Sequence, residues 1–290
     1  MSSPGVREPP PISTRFPVFF GASFHAIHCT IWGRPDSRRR AVCVHGFLMN
    51  GREFDPLAAA LAAEGWCVFC PDLSGHGRSG WRADAAEYRF PLYAAVLSAT
   101  IAIAGSTRID LIGGSMGGLI AMRLAGLPEA PFRSLVLNDV GTGATPEGVR
   151  HVASLIPRET LFPDIASAEA ALRRLVSDRG PLADEEWPAM MRAYMTRTQN
   201  GYRFRFDPRV RQALTLHPYD RPDEWLAITI PTLLVRGARS EMLSAETAAR
   251  MIATRPNAEL LTLPGAGHPP WLRTRDQIDP IVDWLKRRED

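Results

Sequence analysis

The sequence predicts an α/β fold: a mostly parallel, doubly wound sheet with antiparallel leading strands and a helical cap insertion. Three observations carry this. Short unbroken apolar runs such as "AVCV" and "WCVFC" recur along the chain. Amphipathic helical patterns alternate with them, and strands apolar on both faces belong to parallel sheets covered by helices. Between residues 142 and 226 the alternation breaks into helical patterns without a convincing buried strand, then resumes. A chain of 290 residues is long enough for one such domain plus an insertion.

Taken in order, residues 1–15 are polar and rich in proline, which predicts a disordered tail. Residues 16–32 read as two strands around Gly21-Ala22, with His25, Ile27, Cys29 and Ile31 alternating onto one face. Ala41–Val44 is a buried strand. A helix starts near Asp55-Pro56 and is stopped by Gly65. "WCVFC" is the next strand and ends in glycines. Tyr88–Ala104 fits a helix, Ile109–Ile112 a strand, Gly117–Ala125 a helix, and "FRSLVLNDVG" a strand. After the insertion come a strand at Thr232–Val235, a helix at Ser244–Ile252, a strand at Glu259–Leu263 and a helix at Asp276–Arg287. The core is thus expected at 16–141 and 227–290, with the cap at 142–226.

Net charge is +3, from 34 basic and 31 acidic residues. That balance, with arginines scattered along the chain, argues against nucleic acid as a partner. No apolar run approaches the roughly 20 residues of a membrane span, and no signal peptide is recognisable, so the expected setting is cytoplasmic. Cys67 and Cys70 spell C-x-x-C. They fall within a strand, where alternation sends them to opposite faces, and no second pair completes a metal site, so they read as core thiols.

The stretch "LIGGSMGGLIAMRLAG", Leu111–Gly126, places one serine among four glycines between a strand and a helix. Either the glycines cradle a phosphate or they let a strained turn present Ser115 as a nucleophile. A dinucleotide fingerprint fails because its third position is Ser115, and a P-loop fails because Leu119 replaces the lysine. What fits is G-x-S-x-G at Gly113–Gly117, which exposes the hydroxyl at the sheet edge near a helix N-terminus. A serine needs a base oriented by a carboxylate. Of the seven histidines, His25 and His28 lie in the leading strands, and His45 and His76 lie upstream of the serine. His151 and His217 lie in the cap, and only His268 follows the last strand.

Besides the serine turn, the chain shows "HGF" at 45–47, "DLSGHGRS" at 72–79, "LLVRGARSEML" after a late strand and "GAGHPPWL" after the last one. With these motifs in order it resembles the α/β-hydrolase-fold serine hydrolases over about residues 16–287. The "GGSMGG" wording also resembles homoserine O-acetyltransferases, and the chain resembles carbon–carbon hydrolases of aromatic-ring degradation as well. The resemblance implies a triad of Ser115, His268 and an acid. Glu241, 27 residues before His268, is the expected acid because the family usually places it in that loop; Asp139, at the end of a strand, is the alternative. Backbone amides of Phe47 and Met116 are the expected oxyanion donors. "SGHGRS" reads as a structural turn. Met190, Met191 and Tyr194, with Met195 beside them, are expected either to line a substrate pocket or to form the cap's own core.

The implied activity is hydrolysis of a carboxylic ester or related acyl bond through an acyl-enzyme, with no metal or organic cofactor. Carbon–carbon hydrolysis or acyl transfer at the same triad is the alternative reaction, and a non-catalytic small-ligand-binding protein is the alternative of another class. The expected partner is a small acyl or ester substrate.

Overall fold

The computed structural model describes residues 10–158, 160–215 and 221–288. The first strands are β1 (Ile12–Phe20), β2 (Ser23–Trp32) and β3 (Arg39–Val44). Then α1 (Asp55–Ala63), β4 (Trp66–Pro71), α2 (Phe90–Ala104), β5 (Ile109–Gly114), α3 (Met116–Ala125) and β6 (Phe132–Asn138) follow. The insertion holds α4 (Pro146–Leu155), β7 (Leu161–Phe162), α5 (Ile165–Leu175), α6 (Trp187–Tyr194), β8 (Met195–Thr198), β9 (Gly201–Phe204) and α7 (Pro222–Leu226). The chain closes with β10 (Thr232–Gly237), α8 (Ala245–Ala253), β11 (Ala258–Leu263) and α9 (Arg275–Lys286).

Among the described residues the main sheet has eight strands in the order β1-β2-β4-β3-β5-β6-β10-β11. β2 runs antiparallel to both neighbours, and every pairing from β4 to β11 is parallel. The unbroken apolar runs are explained by two separate cores. Val42, Val44, Leu111 and Leu137 pack on one face with Leu92 and Val96 of α2 and Ile120 of α3. Ala41, Cys43, Ile112 and Val136, one residue out of phase, pack on the other with Leu57 of α1 and Trp284 of α9. Alternation also separates the C-x-x-C pair: Cys67 joins the first core and Cys70 the second, both as buried free thiols.

Two expectations need correction. The stretch 1–15 is not a tail throughout, because β1 begins at Ile12, whose partner on β2 is Ile31; its first four residues are exposed or half-buried, and inward side chains begin only at Phe16 and Val18. The insertion between β6 and β10 is not purely helical, since β7, β9 and β8 form a small antiparallel sheet. Its strands of two to four residues are too short to show a period-two pattern.

The turn at 72–79 fastens the insertion to the core. The Gly77 amide donates to the Arg205 carbonyl (2.6 Å), the Asp207 amide to the Gly75 carbonyl (2.7 Å), and the Tyr88 hydroxyl to Asp207 Oδ2 (2.7 Å). Asp72, within the turn, accepts from the Gly51 and Arg78 amides and pairs with His28.

Burial pushes the imidazoles of His25, His45 and His76 down, His76 to about 3. The unfolded chain protonates them near 6.5 while the fold keeps them neutral, so folding loses stability as pH falls through that window. Asp55 acts in the opposite sense, its carboxyl pushed by burial up to about 7. Three histidines outweigh one aspartate. Urea unfolding is expected to give a lower free energy at pH 4.5 than at 6.5, with His76 alone contributing up to ~1.4 kcal/mol per pH unit. Equal values would contradict the neutral burial of these rings.

Candidate active site

The turn between β5 and α3 places Ser115 at φ 48°, ψ −119°, a left-handed conformation that strains a residue with a side chain. Its amide donates to the Asn138 carbonyl (3.1 Å) and its carbonyl accepts from Leu119 (3.0 Å), so strand β6 and helix α3 hold the bend from both sides. The flanking glycines are required by close approach. A Cβ on Gly117 would lie 2.1 Å from the Val44 carbonyl oxygen, and one on Gly113 2.6 Å from that of Gly117. Gly117→Ala is therefore expected to destabilise the fold by about 3 kcal/mol in chemical denaturation, because backbone must shift. A change within about 0.5 kcal/mol would show that the turn is loosely packed.

Ser115 Oγ lies 2.8 Å from His268 Nε2, and His268 Nδ1 lies 2.8 Å from Asp139 Oδ2. Both the imidazole and the carboxylate are buried. Asp139 follows β6 at φ 61°, and its Oδ1 accepts from the Gly237 amide (2.8 Å) at the end of β10. Its Oδ2 also accepts from the Ser240 hydroxyl. A carboxylate facing Nδ1 holds the proton there and leaves Nε2 as the acceptor for the serine hydroxyl.

Glu241, the acid expected from its position in the chain, does not reach the imidazole of His268. Its side chain is 58% exposed, with Oε2 3.9 Å from His151 Nδ1. The reason is the tight turn after β10. Ser240 points inward to Asp139 and also accepts from the Met242 and Leu243 amides, which sends the next side chain outward. The alternative, Asp139, is the carboxylate that meets His268. Of the other histidines, His28 pairs with Asp72 and His151 with Asp178. His45 accepts from the Leu73 amide through Nε2 (2.9 Å), and His217 lies outside the described residues.

Met116 opens α3, so its amide is one of the helix's first N–H groups and has no partner within the helix. Phe47 sits in the turn after β3, where the Met49 amide closes onto the Gly46 carbonyl (3.2 Å). The position of a Cβ on Gly46 would be 3.5 Å from Ser115 Cβ, so this turn lies against the serine.

Two residues that the sequence reading passed over hold that turn. Glu53 Oε2 accepts from the Gly46 amide (2.7 Å), and its Oε1 is 2.6 Å from Arg179 Nη1 in a buried ion pair. Arg179 comes from the insertion and stacks on Trp271, 4.7 Å from the ring centre. The Trp271 indole in turn donates to the Gly180 carbonyl (3.2 Å). Glu53 had a local signal, a carboxylate close behind "HGF"; Arg179 had none.

Met190, Met191 and Tyr194 are buried on the inner face of α6 in the first core. Tyr194 is close enough to Glu53 and Arg179 for their charges to act on its hydroxyl, whose pKa burial raises far above the usual phenol range.

Residues 41–280 match the alpha/beta hydrolase family. The chain belongs to that family. It is 34% identical to the 3-hydroxybutyrate-oligomer hydrolase of Cupriavidus necator over 261 residues, covering 86% of this chain and 89% of that protein. With the pimeloyl-acyl-carrier-protein methyl ester esterase of Xanthomonas oryzae pv. oryzae it shares 28% identity over 250 residues, 83% of this chain and 92% of that one. An alpha/beta hydrolase from Novosphingobium aromaticivorans superposes with a TM-score of 0.84 at 32% identity, covering 96% of this chain and 98% of that structure. As a member of this family the chain is a hydrolase. Among its described residues no helix is long and apolar enough to cross a membrane.

Proposed function

We propose that this hydrolase cleaves carboxylic esters through an acyl-enzyme on Ser115, with His268 as general base and Asp139 as the orienting acid. The observation that carries the reading is the unbroken chain Ser115 Oγ, His268 Nε2, His268 Nδ1, Asp139 Oδ2, with 2.8 Å at each hydrogen bond. His268 takes the serine proton as Oγ attacks the ester carbonyl. The negative charge that develops on the carbonyl oxygen is met by the Phe47 and Met116 amides. His268 then protonates the leaving alcohol, and a water activated by the same ring releases the acid. Glu53 and Arg179 keep the Phe47 turn in place during both steps.

The insertion, 142–226, serves as a cap, and Met190, Met191 and Tyr194 form its apolar contribution to the acyl site. Short hydroxyacid oligoesters are the substrate class favoured by the likeness to the Cupriavidus enzyme, whose name specifies 3-hydroxybutyrate oligomers. The test is turnover of p-nitrophenyl esters of increasing acyl length beside 3-hydroxybutyrate dimers and trimers. Hydrolysis of the oligomers at a kcat/KM at least equal to that of the best simple ester is the expected result; cleavage of neither would overturn the reading. In the same assay Met190→Ala and Tyr194→Ala are expected to shift the preferred acyl length more than the rate on the acetate ester. An unchanged profile in both would make these residues internal packing only.

A further inference from the structure

A cleft of about 390 Å³ lies between the core and the insertion, and Ser115, His268 and Asp139 are not among the residues that line it. Its charge is one-sided. Four guanidiniums face it, Arg52 and Arg78 from the core and Arg192 and Arg205 from the insertion, against the carboxylates of Asp55 and Asp72. Both carboxylates are already engaged. Asp55 pairs with Arg52 (2.6 Å), and Asp72 with His28 (3.0 Å) and with two backbone amides. Among the described residues Arg78, Arg192 and Arg205 have no ion-pair partner, and the Nε of Arg205 is buried without a hydrogen-bond partner.

Like charges gathered in a partly enclosed cleft repel one another, and burying a guanidinium N–H unpaired costs free energy. Burial and the neighbouring Arg78 both weaken the hold of Arg205 on its proton. An oxyanion would relieve all three effects at once, because guanidinium forks match carboxylate and phosphate oxygens in pairs. We propose that this cleft is a binding site for a small molecule bearing a carboxylate or a phosphate, gripped by Arg78 from the core and by Arg192 and Arg205 from the insertion. Its occupant joins the two parts of the molecule beside an existing link, the Asn50 amide group donating to the Ala193 carbonyl (2.9 Å). Asn50 lies three residues beyond Phe47, so anion binding stiffens the turn that faces Ser115.

The test is isothermal titration of the intact protein with inorganic phosphate and, separately, with 3-hydroxybutyrate, at about 0.15 M salt to screen diffuse attraction. The site predicts saturable one-to-one binding of at least one of the two, with a Kd below about 1 mM. Tighter binding of phosphate identifies a phosphorylated ligand, and tighter binding of 3-hydroxybutyrate a carboxylic acid; either supports the site. Arg192→Gln/Arg205→Gln is expected to weaken the preferred anion at least tenfold and Arg192→Gln alone severalfold, while Arg108→Gln, the same single charge removed at an exposed bend, leaves it unaltered. Should the double variant melt early without ligand, Arg192→Gln alone, on the exposed side of α6, gives the same reading. Absence of saturable binding, or an equal loss in Arg108→Gln, overturns the proposal.

Discussion

Ser115→Ala is expected to lower ester turnover by about 10⁴-fold or more with the fold intact. The methyl group keeps the Cβ that the strained turn already accommodates, and the Asn138 and Leu119 backbone bonds that fix the bend do not involve the hydroxyl. What disappears is the atom that attacks and its bond to His268 Nε2. The residual rate reflects the oxyanion amides and substrate binding alone. The measurement is steady-state kcat on a p-nitrophenyl ester, paired with a thermal melt. Activity retained within tenfold would remove Ser115 from the mechanism.

The second large effect falls on the acid. Asp139→Asn is expected to cost 10²- to about 10⁴-fold in kcat, because an amide can favour the wrong imidazole tautomer and cannot balance the imidazolium charge. The substitution also disturbs a carboxylate that accepts from Gly237 and Ser240 as well as His268, so its melting temperature is measured alongside. Glu241→Gln, on a side chain 58% exposed and remote from the ring, is expected to stay within about twofold. The comparison is made at one pH with one ester. A reversed ranking would return the role to Glu241.

The contrast between those two carboxylates shows what the sequence could and could not convey. The fold was legible because both faces of the main sheet are buried: β3, β4, β5, β6 and β10 each carry an apolar run, and each ends in or is followed at once by a glycine, an aspartate or a histidine where the chain turns. The serine turn was legible for the same steric reason, since only glycine fits at 113 and 117. The carboxylate that faces His268 was not, because its identity depends on β6 and β10 being adjacent and on one residue's direction in a turn. Adjacency brings Asp139 beneath the loop of His268, and Ser240 takes the inward position next to Glu241. Neither follows from chain distance. Arg179 was hidden more deeply, since a charged residue in a polar helical insertion looks like any solvated arginine until Glu53 and Trp271 close around it.

The central claim is that Ser115 is a nucleophile activated by His268, and covalent capture tests it most directly. The protein is treated with a fluorophosphonate, and the adduct is counted by intact mass and located by peptide mapping. One adduct per chain on Ser115, forming at least 10²-fold more slowly in His268→Ala, is the expected result. No adduct, or an adduct on another residue at the same rate in both proteins, would contradict it.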